Sequence, residues 1–171
     1  MKNPRTETVQ IVDENNNEIA AVSRWIMREQ QLIHRASYIL VFNRAGELYV
    51  QKRTITKDVY PGYYDIAAGG VVLAGENYEE SAERELAEEL GIEDVALTHC
   101  FDHYFEDAAN KVWGRIFRCR HEGPFTLQEE EIESGGFMDV QQVLDASGSK
   151  LFTPDGIEIL RRLYPEGLNQ F

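Results

Sequence analysis

Three glutamates, Glu85, Glu88 and Glu89, stand at i, i+3 and i+4 within the stretch GGVVLAGENYEESAERELAEELGI, which runs from Gly69 to Ile92. On a helix these spacings place three carboxylates on adjoining turns of one face. Like charges so placed repel, and Arg84 offsets only part of the repulsion. A divalent cation removes the conflict. Mg²⁺ takes carboxylate oxygens in octahedral geometry and completes its shell with waters and substrate phosphates. A solvated acidic face is the plainer alternative that the triple-Glu spacing alone leaves open.

The element that must carry these groups is legible at both ends. Asn77 can cap a helix, and Glu80, three residues on, completes a capping-box pair. Gly91 suits the left-handed position just past the helix. Between them the sequence predicts a helix of about 13 residues, with Ala82, Leu86 and Leu90 as its apolar stripe.

Around that helix the chain reads as mixed strands and helices. Thr8–Val12 and 18–22 flank the polar turn cluster 13–17, which predicts a hairpin. A short helix is expected over 24–33, with Trp25, Ile26 and Gln30 or Ile33 facing inward. Strands are expected at His34–Phe42 and 47–52, joined by a turn at 43–46. Residues 63–68 read as extended after the Pro61-Gly62 break, and Gly69-Gly70 as the opening of a loop. Further strands are expected at 95–105, Lys111–Arg120 and 136–140, and a closing helix over 153–164 with Pro154 in its first turn. No regular βαβ rhythm is visible, so the class is α+β.

The chain has 171 residues, 43 % of them hydrophobic, and a formal net charge of −13. At about 150 residues per domain this predicts one domain, 1–171, and excludes overall disorder. The charge argues against nucleic acid and against anionic membrane as partners, since both are bound through Lys and Arg. An anionic ligand would need local cations or a recruited metal. No signal-peptide core is present near the N-terminus, and the longest apolar runs, such as 38–42, are far too short to span a bilayer. Cys100 and Cys119 are too few for a disulfide framework or a four-cysteine zinc site. They read as two reduced thiols in a cytoplasmic protein.

From Gly70 to Ile92 the order is Gly70, five residues, Glu76, seven residues, Arg84-Glu85-Leu86, one residue, Glu88-Glu89, one residue, Gly91-Ile92. This matches the Nudix box, GX5EX7REUXEEXGU with U aliphatic, at every defined position. The chain therefore resembles the Nudix hydrolase superfamily. The resemblance implies an α/β/α sandwich with a central mixed sheet, and metal-dependent hydrolysis of a diphosphate linked to another moiety. It implies Mg²⁺ as cofactor, with Mn²⁺ as the alternative. Carried over, Glu85 and Glu89 are the main metal ligands, Glu88 a third, and the Gly69 carbonyl a further one. Gly70 lets the backbone approach the metal–phosphate cluster, Arg84 orients the carboxylates, and Glu76 ties the loop to the helix. The catalytic base in relatives is a box Glu or a Glu from a distant loop. The acidic run 129–133 is a source of the latter, with Glu131 as the choice, although such a run also reads as a solvated loop.

Upstream, LIHRASYILVFNRAGELYVQKRTITKDVYPGYYD, residues 32–65, is similar to the isopentenyl-diphosphate isomerase branch. By that likeness Arg53 and Lys57 bind the substrate diphosphate, and His34 matches a metal ligand whose partners are missing here. The isomerase reaction itself needs a Cys just before the box, where this chain reads Asp65-Ile-Ala-Ala-Gly-Gly70. The expected activity is therefore phosphoanhydride hydrolysis of a small-molecule diphosphate, with a nucleoside diphosphate derivative as the broad family expectation. A non-catalytic ligand-sensing module is the alternative, and the isomerase ranks below it. Trp25, Trp113, Tyr60, Tyr63, Tyr64 and Tyr104 offer flat surfaces for a base or an apolar tail, and equally fit a core. Homodimers are common in the superfamily. The residues ahead of the His34 strand serve such an interface or cover the protein's own sheet.

Overall fold

The computed structural model describes residues 3–165; the outer ends of the expected domain, 1–2 and 166–171, lie outside the described residues. A single 3-10 turn, Pro4–Thr6, leads into β1 (Thr8–Val12) and β2 (Glu18–Ser23), an antiparallel hairpin. Asp13 shapes its tip, since its Oδ1 accepts from the backbone N–H groups of Asn15 and Asn17. Then come α1 (Arg24–Glu29), β3 (His34–Phe42), β4 (Leu48–Arg53), β5 (Tyr64–Asp65), β6 (Ala68–Val71) and α2 (Tyr78–Leu90). The chain continues through β7 (Thr98–Glu106), β8 (Lys111–Arg120), β9 (Ile132–Met138), α3 (Val140–Ala146) and α4 (Pro154–Leu163).

All nine described strands join one mixed sheet. β3 runs parallel to β8 over its whole length, from His34↔Val112 to Phe42↔Arg120, and antiparallel to β6. β7 extends the sheet beyond β8, and β4 carries β5 and β9. The period-2 alternation of β3 divides the core. Ile39 and Val41 pack toward Leu86 and Leu90 of α2, whereas Leu40 packs toward Val143 of α3 and Leu160 of α4. β8 repeats the division with Phe117 on the first side and Ile116 on the second. Helices therefore cover both faces of a mixed sheet, the expected α+β class and α/β/α sandwich. The N-terminal hairpin extends the protein's own sheet through the pairing of β1 with β3, and α1 packs Met27 against Val9, Ile11 and Val71 on it.

α2 forms where its signals place it. The Asn77 side chain accepts from Glu80 N–H, the Glu80 side chain accepts from Asn77 N–H, and Gly91 takes the left-handed conformation at φ 67°.

Several local expectations are corrected. The 24–33 helix stops at Glu29 because Gln31 turns to φ 50°, and its buried residue is Met27 while Trp25 is 44 % exposed. Gly69 and Gly70 lie within strand β6 rather than in a loop, and the 63–68 segment breaks between β5 and β6. Residues 95–97 stay outside β7, behind Asp94 at φ 55°. The last strand starts at Ile132, where pairing with Arg53 of β4 begins, and ends at Met138. Val140 instead opens α3, a helix the hydrophobic pattern missed, capped by Asp139 accepting from Gln141 and Gln142 N–H.

The shared core wall gives a direct stability test. Phe117 is 1 % exposed between β3 and α2, so Phe117→Ala is expected to lower unfolding free energy by about 3–5 kcal/mol. Urea denaturation at unchanged m-value measures this; a loss below about 1 kcal/mol would show that this wall is not the packed centre.

Candidate active site

Strand β6 and helix α2 meet at glycines. A Cβ on Gly70 would sit 2.5 Å from Glu85 Oε1, and one on Gly69, at φ 142°, would lie 1.9 Å from the Ser37 carbonyl oxygen. Only glycine lets β6 lie against both β3 and the Glu85 carboxylate. The Gly69 N–H donates to Glu89 Oε2 at 3.2 Å. Glu85 and Glu89, one turn apart, thus face the backbone of β6 together, and Glu89 is 4 % exposed.

Arg84 and Glu76 brace this face. The guanidinium Nε donates to Glu76 Oε1 at 2.6 Å and Nη2 to Glu76 Oε2 at 3.1 Å, a two-point clasp. Nη1 reaches Glu85 Oε1 at 2.8 Å and Glu88 Oε2 at 3.4 Å. Glu76 Oε2 also accepts from Leu73 N–H at 3.0 Å, so the loop before α2 is tied to the helix. Burial opposes the Arg84 charge, but the Glu76 and Glu85 carboxylates more than compensate and raise its pKa.

Burial, reinforced by Glu85, pushes the Glu89 carboxyl up to about 8. Burial also raises Glu85, against the pull of Arg84. Lys57 and Glu131, from two separate loops, form an ion pair whose opposite charges both act on Glu89. Glu88 stands further out, with its side chain 51 % exposed.

A small cavity of about 80 Å³ opens beside Gly69 and Gly70. Its lining includes His34, Tyr38, Arg53, Lys57, Asp65 and Asp155. Arg53 does not stand ready as an anion ligand: Nε and Nη2 donate to the Val59 carbonyl, and Nη1 to Asp65 Oδ2 at 3.0 Å. His34 is buried, and burial together with Arg28 lowers its pKa to about 3. The ring is therefore neutral, and its Nδ1–H faces the Leu32 carbonyl at 3.2 Å. Tyr38 donates its hydroxyl to Asp155 Oδ2 at 2.7 Å. Neither cysteine lines this cavity; both are free thiols, Cys119 packed on the α2 side of the sheet and Cys100 on the other.

The structure thus brings Lys57, Gly69, Gly70, Arg84, Glu85, Glu88, Glu89 and Glu131 to one place, and Arg53 lines the adjoining cavity while it braces the 54–63 loop. Tyr38, Asp65 and Asp155 were not foreseen. Asp155 follows Pro154 in the first turn of α4, where an acid reads simply as a partner for the helix dipole.

Among the described residues no three His, Cys, Asp or Glu side chains form a ready cage for a metal. Mg²⁺ rarely uses one. It is held by one or two carboxylates, with the remaining positions left to water and substrate phosphates. A buried, closely coupled carboxylate pair against a Cβ-free backbone fits that demand.

The NUDIX domain family profile matches residues 32–163. A Nudix hydrolase of Yersinia pestis is 48 % identical over 154 residues, covering 90 % of this chain and 84 % of that protein. The chain belongs to the Nudix family, and it is a hydrolase of that family. Among solved structures, DR0079 of Deinococcus radiodurans superposes with a TM-score of 0.82 at 22 % identity, over 92 % of this chain and 99 % of that one. The NUDIX domain of Shewanella oneidensis NrtR, solved with ADP ribose, gives 0.61 at 13 % identity, over 77 % and 86 %. At these identities the two structures show the shared fold.

Burial and the neighbouring Asp65 raise the Asp155 carboxyl to about 6, from an unfolded value near 4. Its contribution to stability is full below about pH 4 and is lost as pH rises through 6. Asp155→Asn removes this titration. The stability profile between pH 4 and 7 should flatten, and the variant should gain about 3 kcal/mol relative to wild type at pH 7. Urea titrations across that range measure it; an unchanged slope would overturn the assignment.

Proposed function

We propose that this protein hydrolyses a phosphoanhydride bond in a diphosphate linked to another moiety, a nucleoside diphosphate derivative being the favoured class, with Mg²⁺ or Mn²⁺ as cofactor. The observation that carries this reading is the buried Glu85–Glu89 pair set against the glycine backbone of β6. Even with Glu89 protonated, Glu76, Glu85, Glu88 and Glu131 outnumber Arg84 and Lys57 at the site, so a bare diphosphate is repelled there. A bound divalent ion neutralises phosphate oxygens, polarises phosphorus and acidifies water.

The chain's own residues supply the rest. Glu85 and Glu89, with Glu88 and the Gly69 carbonyl, would hold the ion; Arg84 and Glu76 fix the angle of the carboxylates. Glu131 takes the proton of the attacking water while its oxygen bonds to phosphorus, and the bridging oxygen leaves with the electron pair of the broken P–O bond. Lys57, paired with Glu131, lies beside the phosphates and balances charge there. The intact box favours this reading over a sensor, and the absence of a thiol from the cavity disfavours the isomerase. Among the described residues no helix is long and apolar enough to cross a membrane; together with two free thiols, this supports a cytoplasmic location.

The test is product release from nucleotide sugars, dinucleotides, coenzyme A, nucleoside triphosphates and isopentenyl diphosphate, with Mg²⁺, Mn²⁺ or chelator. Cleavage of one class, abolished by chelator, is expected. Glu89→Gln should lower kcat by about 100-fold or more and raise the Mg²⁺ concentration needed. Glu131→Gln should lower kcat without changing that requirement. Unaltered turnover in Glu89→Gln would sink the metal assignment, and tight binding without cleavage of any compound would favour the sensor.

A further inference from the structure

The 80 Å³ inner cavity lies well below the range of about 300–1,000 Å³ in which small-molecule sites fall. It has room for a phosphate-sized group, and a base with its ribose must lie elsewhere. A second, outer space of about 650 Å³ adjoins it. Arg24, Arg28, Lys57 and Asp58 line both spaces and so form the partition between them. Glu131 lies on the outer side of that partition. Glu85 and Glu89 line neither space, but Lys57 and Glu131, whose charges both act on Glu89, line the outer one, so a substrate whose reacting phosphate sits at the metal face can extend past Lys57 into it.

The chemistry of that space is unusual for so acidic a chain. Its four cations, Arg5, Arg24, Arg28 and Lys57, are matched by four carboxylates, Glu29, Asp58, Glu130 and Glu131. Arg24 and Arg28 both pair with Asp58, at 3.4 and 3.0 Å, and Lys57 with Glu131. Charge balance leaves little net field for a further anion, so the fitting occupant is an uncharged group. One wall is Trp25, 44 % exposed, although α1 has an inward face that Met27 fills. The other tryptophan, Trp113, is part-buried in β8, with its indole N–H donated to the Glu14 carbonyl. An indole left open beside a charge-balanced groove is a stacking surface for a flat ring.

We infer that the outer groove holds the nucleoside of the substrate, with the base stacked on Trp25, which makes Trp25 a specificity-determining residue. This rests on the hydrolase reading for the phosphate end alone. Trp113→Phe leaves Trp25 as the sole tryptophan of the chain, so its fluorescence reports the groove without any turnover. In that background, with Mg²⁺ present, AMP should quench the emission saturably, and inorganic pyrophosphate should not. Trp25→Ala should raise KM for the nucleoside diphosphate derivative that is cleaved by about tenfold, with kcat changed little and thermal unfolding unaltered. Trp25→Phe should recover most of the loss. Equal quenching by pyrophosphate or isopentenyl diphosphate, or an unchanged KM in Trp25→Ala, would overturn the assignment. If no compound is hydrolysed, the hydrolase reading falls. The AMP titration still decides the groove, because saturable quenching upholds it and its absence refutes it.

Discussion

Two carboxylates buried side by side are an unfavourable arrangement for a folded chain, and most of the site's architecture is organised around holding Glu85 and Glu89 in that position. Glu89 is buried and Glu85 mostly so, and β6 lies against both with a Cβ-free backbone. The partial remedies are local. One is the Gly69 N–H on Glu89, and another is the Arg84 guanidinium on Glu85. Arg84 in turn is aimed by Glu76, which is itself held by the Leu73 N–H. Removing any one member leaves a buried group with an unmet partner, the costly half of a broken polar network.

The helix carrying the pair has to be placed to within a fraction of an ångström, and three independent features do this. The capping box and the left-handed Gly91 set the ends of α2. Ala82, Leu86 and Leu90, nearly inaccessible, fix its rotation against Ile39, Val41 and Phe117 of the sheet. The parallel register of β3 and β8 then carries that packing to the opposite face, where α4 closes the second core. A one-residue slip of β3 would exchange its two faces and turn Leu40 toward α2. The geometry of the carboxylates therefore depends on a core in which no catalytic residue takes part.

This division explains what was legible in the sequence. The box helix, its caps and the residues of the metal face follow from i, i+3 and i+4 spacing and from glycine positions, all of which are local. The sandwich class followed from the box motif and the mixed elements. Helix α3 was hidden because its inward residues, Val140 and Val143, are too few to show a period. Trp25 reads equally as core or as a flat binding surface, because size and apolarity say nothing about which face of a six-residue helix packs; Met27 takes the inward place. Tyr38, Asp65 and Asp155 come from β3, β5 and α4, and no local pattern announces a pairing between residues 117 positions apart. The fate of Arg53 was equally hidden, since its loop carbonyl and Asp65 partners exist only once β4 and β5 have paired.

The distribution of charge ties the two spaces together. A chain of net charge −13 repels an anionic ligand from a distance, and the surplus of glutamate over Arg84 and Lys57 at the metal face repeats the effect at close range. On the proposed function, a cation held by the Glu85–Glu89 pair supplies the attraction for a diphosphate at this face, and binding of the phosphate end then depends on the metal. The outer groove behaves oppositely. Its ion pairs cancel within the protein, so contacts to an uncharged ring there are independent of both metal and salt to first order. Affinity divides accordingly, one end of the ligand being governed by electrostatics and the other by stacking, with the Lys57–Glu131 pair at the boundary between them.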